Sequence, residues 1–172
     1  MLRQRLASVL QRPALDLPLL APPGQPPRLA ACAGWVALSH SGRGVLIGWS
    51  AEALGVDLEP AARSFPARGL MQRFFPAAEQ RQLEGLPEAR LRQAVLQSWL
   101  LKEAAIKWRR RTLAGELACW GFDHQQGWLR HRTEAVQPAW QSGFCCGWRW
   151  AVVTREEQPM VLHLQADAEA PW

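Results

Sequence analysis

Apolar residues recur along the chain at different spacings, and each spacing predicts an element. Residues 2–12 place Leu2, Leu6, Val9 and Leu10 on one side of a helix. The next stretch, PALDLPLLAPPGQPPRL, holds six prolines between 13 and 27 and reads as an extended connection. Three strands are then predicted: GWVALSHS (34–41), GVLIGWS (44–50) and LGVDLEP (54–60). The GRG between the first two predicts a hairpin turn, and Pro60 closes the third. The middle of the chain reads as helical. A helix over 67–75 ends at Pro76; a second, 76–86, starts on that proline and stops at Gly85 and Pro87. The longest spans 88–111, with Leu91, Val95, Trp99, Lys102, Ile106 and Arg109 tracing its faces. Strands are predicted again near 117–123, 127–132, 146–154 and 160–165, followed by a frayed tail at 167–172.

Composition narrows the class. With 172 residues and 48% hydrophobic content, the chain can build one domain or two intimately packed halves around a real core. Ten tryptophans and no tyrosine point to aromatic core packing. No apolar run approaches the ~18 residues of a membrane helix. Gln, Arg, Pro and Asp interrupt the N-terminal leucines, so neither a signal peptide nor a membrane association is expected, and the location expected is the cytoplasm. Cys32, Cys119, Cys145 and Cys146 form no C-x-x-C pair, and His124 and His131 stand at no metal-binding spacing from them. Buried, reduced thiols are expected, with Cys145 and Cys146 on opposite faces of one strand. A net charge of +5 makes acidic partners reasonable: nucleic acid, a phosphorylated cofactor or an acidic protein.

Three short stretches carry candidate chemistry. In GVDLEP, Asp57 and Glu59 project to the same face of a strand while Val56 and Leu58 turn to the core. Two adjacent carboxylates repel unless a cation lies between them, and Mg²⁺, a hard ion that takes oxygen ligands, meets that need; two solvated acids on an exposed face are the alternative. In SWLLKEAAIKW, Lys102 and Lys107 are the two lysines among 20 cationic side chains. Glu103 and Lys107 lie i, i+4 on a face shared with Trp99, which a surface ion pair would also explain. Yet where any cation would serve, this chain uses arginine. A compact ammonium is irreplaceable against phosphate oxygens in a tight site. Asp57, Glu59, Glu103 and Lys107 would together make a Mg²⁺–pyrophosphate pocket. In SHSGRG, Ser39, His40 and Ser41 enter a turn whose Gly42 and Gly44 let backbone N–H groups approach a ligand, or simply end a hairpin.

In this order, SHSGRG, GVDLEP, RFFPAAE and WLLKEAAIK resemble the 4′-phosphopantetheinyl transferases, specifically the Sfp type, over about residues 1–123. The resemblance implies two similar α+β halves related by a pseudo-twofold: a reduced first half over about 1–52 and a second over about 53–166, in one domain covering 1–172. It implies transfer of the phosphopantetheine arm of coenzyme A to a serine of an apo acyl or peptidyl carrier protein, with release of 3′,5′-ADP. Asp57, Glu59 and Glu103 would hold Mg²⁺, or Mn²⁺. Glu103 and Lys107 would be catalytic: Glu103, or a metal-bound water that it orients, as base for the carrier serine, and Lys107 on the pyrophosphate. Ser39, His40, Lys102, Lys107, Arg28 and Arg5 would bind coenzyme A. Phe74 and Phe75 would lie near the carrier, whose acidic helices suit the Arg109–Arg111 run. The small holo-acyl-carrier-protein synthases, which are trimers, carry the acidic motif almost at the N-terminus. Here it begins at Gly55, after SHS, so a monomer is expected. Two features depart from the pattern. The usual G-K-P appears as Gly24-Gln25-Pro26, with Arg28 the candidate substitute, and several tens of residues expected ahead of the first helix are missing. They motivate an alternative, a family member that binds coenzyme A or a carrier without turnover. A basic, Trp-rich nucleic-acid binder leaves the acidic residues unexplained, and no nucleic-acid partner is expected.

Overall fold

Helix α1 (Leu2–Leu10) buries Leu6 against Leu17, Leu19, Val36 and Ile47. A computed structural model describes residues 2–22, 25–30 and 33–165; Gly24, Cys32, the Val9 side chain and the expected tail at 167–172 lie outside them. The helix stops two residues short of its predicted end because Gln11 turns left-handed, with φ 50°. The proline-rich connection contains two-residue strands β1 (Leu19–Leu20) and β2 (Arg28–Leu29), paired antiparallel. Arg3 ties it down by donating to the carbonyls of Ala14, Leu17 and Leu19.

Strands β3 (Trp35–Ser41) and β4 (Gly44–Ser50) form the predicted hairpin, with Ser41 opposite Gly44. Strand β5 (Leu54–Pro60) follows as predicted. Helices α2 (Ala67–Phe74), α3 (Ala77–Leu83) and α4 (Glu88–Trp108) fill the middle. Helix α4 ends three residues before its predicted limit: Arg110 adopts φ 54°, and the Arg111 N–H reaches back to the Ile106 carbonyl at 3.0 Å, a left-handed C-terminal cap. A single turn, α5 (Leu113–Glu116), leads into a 3₁₀ turn, Leu117–Cys119, that replaces the start of the strand predicted at 117–123. Strand β6 (Trp120–Asp123) pairs with β7 (Trp128–His131). Strand β8 (Ala139–Cys145), unforeseen, pairs with β9 (Trp148–Thr154), and β10 (Met160–Gln165) completes the described chain.

Two three-stranded antiparallel sheets organise the molecule, ordered β10-β4-β3 and β5-β9-β8. The expected division near residue 52 is crossed by β10, which pairs with β4 from Met160 opposite Ser50 to Gln165 opposite Val45. Val56 and Leu58 turn as expected into a core shared with Ala37, Leu46, Trp148 and Val152. The opposite face of β5 lies under α4. A Cβ on Gly55 would sit 2.0 Å from the Ala104 carbonyl oxygen and 2.3 Å from the Trp108 nitrogen, so only glycine permits the contact. That contact fixes the height of the helix above the strand bearing Asp57 and Glu59.

The cysteines correct the expectation of buried thiols. Cys145 and Cys146 are both exposed and Cys119 is half-buried. Residues 146 and 147 are the turn between β8 and β9, so the adjacent cysteines do not share a strand. Among the described residues, no helix is long and apolar enough to cross a membrane.

Candidate functional site

Asp57, Ser39 and Lys107 meet where the last turns of α4 cross β5 and β3. Asp57 lies mid-strand with both faces covered and is 3% exposed, so the solvated-acid alternative fails for it. Lys107 Nζ reaches Asp57 Oδ1 at 2.5 Å and Ser39 Oγ at 3.0 Å. The Ser39 hydroxyl donates to the same Asp57 oxygen at 2.8 Å. Glu103, one turn before Lys107, places Oε2 at 3.8 Å from its ammonium. Glu59 is held separately, accepting from Ser41 Oγ at 2.8 Å and from the Arg63 guanidinium.

Desolvation dominates the electrostatics. Burial pushes Asp57 above the usual carboxylate range, against the pull of Lys107 and Ser39. Burial also raises Glu59, against Ser41 and Arg63. Glu103 is pushed up to about 7, first by burial and then by repulsion from Asp57, with Lys107 acting the other way. The three carboxylates therefore feel one another across one site. They are not gathered as ligands: among the described residues, no group of three or more His, Cys, Asp or Glu is placed to hold a metal ion. Lys107 holds Asp57 Oδ1 and Arg63 holds Glu59 Oε1.

The donor set nevertheless fits a hard divalent cation. All three groups are oxygen donors. Asp57 Oδ2 is buried with no hydrogen-bond partner, an orphaned acceptor that a cation would satisfy. The repulsion that raises Glu103 is the energy an added positive charge would relieve.

The predicted phosphate-binding residues separate. His40 is exposed and lines a cavity of about 270 Å³ with Lys107, Arg110, Arg111, Pro26 and Pro27. This basic cavity opens beside the carboxylates, and Arg110 and Arg111 in its wall were not singled out as ligands. Ser39 is 4% exposed with its hydroxyl committed to Asp57 and Lys107, so it orients those groups from beneath. Arg28 lines a neighbouring cavity of about 440 Å³ with Trp35 and Arg110. A larger cavity of about 780 Å³, between Trp35, Trp108, Arg109 and Arg155, contains none of the three carboxylates.

Lys102 is the main correction. It is fully buried on another face of α4, 2.7 Å from Glu79 Oε2, with its ammonium 3.4 Å from the centre of the Phe75 ring. It makes a core ion pair and lines none of the cavities described above. Its assignment to coenzyme A fails because the 100° step between successive helical residues turns it away from Glu103. Arg5 sits on α1 with its Nη1 buried and without a hydrogen-bond partner, and it lines none of the cavities above. Phe75 is likewise buried, while Phe74 remains half-buried, edge-on to Trp99 at 6.2 Å. Sequence reasoning missed Glu79 and Arg63 as partners. A buried lysine demands a counter-charge, but which acid supplies it is a tertiary fact; Arg63 follows Pro60 in a turn, where no periodicity marks it.

No curated protein matches the sequence. The family model for the 4′-phosphopantetheinyl transferase superfamily matches residues 53–149, a stretch that carries Asp57, Glu59, Glu103 and Lys107 and leaves Ser39 and His40 outside it. With more than half of its length matched, this chain belongs to the 4′-phosphopantetheinyl transferase superfamily.

Proposed function

We propose that the protein is an Sfp-type enzyme that moves the phosphopantetheine arm of coenzyme A onto a serine hydroxyl of an apo acyl or peptidyl carrier protein, releasing 3′,5′-ADP. The observation that carries the reading is buried Asp57, with one oxygen on Lys107 and the other unpartnered. Asp57, Glu59 and Glu103 would hold Mg²⁺, which supplies charge neutralisation at the pyrophosphate when bound. Lys107, released from Asp57, turns its ammonium to the pyrophosphate oxygens and offsets charge on the departing phosphate. Ser39 holds Asp57 in register throughout. His40, Arg110 and Arg111 offer cationic and hydrogen-bonding groups to phosphates entering from the 270 Å³ cavity. Glu103, at the protein wall beside Lys107, takes the carrier serine's proton. Two halves related by a pseudo-twofold, acting as a monomer, belong to the same reading.

The test is intact-protein mass spectrometry of apo carrier proteins from fatty-acid, polyketide and peptide synthesis, each incubated with the protein, coenzyme A and Mg²⁺. A gain of one phosphopantetheine, abolished by EDTA, is expected. No gain on any carrier, with coenzyme A binding still measurable by calorimetry, would establish a binding-only protein instead.

A further inference from the structure

The tip of the β8–β9 hairpin carries chemistry that the transfer reaction does not use. Its two-residue loop is Cys146-Gly147, with φ 50° and 82°. Two left-handed positions define a turn type that favours Asn-Gly or Gly-Gly, so cysteine at the first is a costly choice conformationally. Cys145 and Cys146 are exposed, and the Cys145 thiol donates to Cys146 Sγ at 3.4 Å. Half-buried Cys119 instead points its thiol at the Gly115 carbonyl oxygen, 3.7 Å away. The tip is not isolated. The Ala61 N–H donates to the Gly147 carbonyl at 2.9 Å, and Pro60 lies opposite Trp148. The turn is thereby fastened to the segment running from Glu59 to Arg63, which walls a cavity of about 540 Å³.

We propose that Cys145 and Cys146 are a redox modification site that reacts with small-molecule disulfides to close a vicinal disulfide. In the first step the Cys146 thiolate attacks one sulfur of the disulfide. The small molecule's S–S bond breaks, one thiol leaves carrying a proton, and Cys146 holds the mixed disulfide. In the second step Cys145 loses its proton and attacks Cys146 Sγ, expelling the second small thiol. The two cysteines are oxidised by two electrons, and one disulfide is reduced to two thiols. The order follows from the contact: Cys145 is the donor and Cys146 Sγ the acceptor, so Cys146 is the sulfur that attacks first. The same neighbour pushes the Cys145 thiol up, and that cause disappears once Cys146 is capped. Adjacent Cα atoms lie about 3.8 Å apart, closer than the usual disulfide range of roughly 4.4–6.8 Å, so the ring closes only under strain. A ring so strained belongs to the labile, reversible class rather than the structural one.

The test uses the full chain, without oxygen, incubated with glutathione disulfide, then alkylated and analysed by intact mass and peptide mapping. The wild type is expected to lose two hydrogens, located to the peptide holding both cysteines, and to regain them with reduced glutathione. Cys145→Ser should stop at a stable glutathione adduct on Cys146. Cys146→Ser should react at least about tenfold more slowly, having lost the attacking sulfur. Glutathione adducts persisting on the wild-type tip, a disulfide joining two chains through it, or full alkylation of both sulfurs would each overturn the proposal.

Discussion

Replacing Lys102 by methionine should cripple stability without touching coenzyme A. The ammonium and the Glu79 carboxylate are both buried and 2.7 Å apart. The same Glu79 oxygen accepts from the Phe122 backbone N–H at 3.1 Å. Lys102→Met packs well against Phe75 but strands the carboxylate, and breaking a buried pair this way costs about 3–5 kcal/mol. A domain of ordinary stability holds only ~5–15 kcal/mol in total, so the loss should be plain. Lys102→Met with Glu79→Gln removes both charges, and the amide oxygen can still accept from Phe122. The double variant should return to within about 1–2 kcal/mol of wild type, or exceed it. Urea midpoints at constant slope measure both. The pH dependence adds a second check. Burial, which outweighs the attraction of Glu79, lowers Lys102 from 10.5 to about 8. Between those values the unfolded chain keeps a proton that the folded protein has released. Stability from this group therefore rises with pH across that window and is flat below it. Lys102→Met should lack the rise. A single variant within ~1 kcal/mol of wild type, or one that weakens coenzyme A binding while folded, would refute the assignment of Lys102 to the core.

Four further outcomes follow from the site. Gly55→Ala drives a methyl into the backbone of α4 and should cost at least ~2 kcal/mol in urea unfolding, with carrier modification falling in the fraction still folded. Asp57→Ala should abolish Mg²⁺-dependent turnover with circular dichroism unchanged; turnover at the wild-type rate would rule out the metal role. Lys107→Arg substitutes a planar fork for a point charge held between Asp57 and Ser39 and should slow carrier modification at least about tenfold, whereas full activity would reduce Lys107 to an ion-pair residue. Gln25→Lys should tighten coenzyme A binding in calorimetry, and an unchanged dissociation constant would mean that Arg28 already fills the place.

What could be read beforehand was whatever repeats with a short period. Alternation in 54–60 and the apolar spacing of 88–108 located β5 and α4, and the two motifs on them carry most of the site. Strand β8 escaped because AWQSGFC lies at a sheet edge and is largely exposed, so no burial pattern marks it; its Gly143 also makes room for the Trp150 ring. Element ends moved where a left-handed residue intervened, at Gln11 and Arg110, and neither side chain advertises that conformation. Rarity singled out both lysines, but composition treats them alike. Only their places on the helix separate Lys107, which faces Asp57, from Lys102, which faces Glu79.

Strand β10 closes the first sheet from the far end of the chain, with Val161 opposite Trp49 and His163 opposite Ile47. During synthesis the β3–β4 hairpin must wait for more than a hundred residues before its last neighbour emerges. Until then the free edge of β4 presents unpaired backbone beside Val45, Ile47 and Trp49. Such an edge invites pairing with other chains, so the ribosome-bound protein is exposed to aggregation through the interval between the emergence of β4 and that of β10. Slowing translation after β4 has emerged and before β10 has emerged should therefore lower the soluble yield more than the same delay placed before β4.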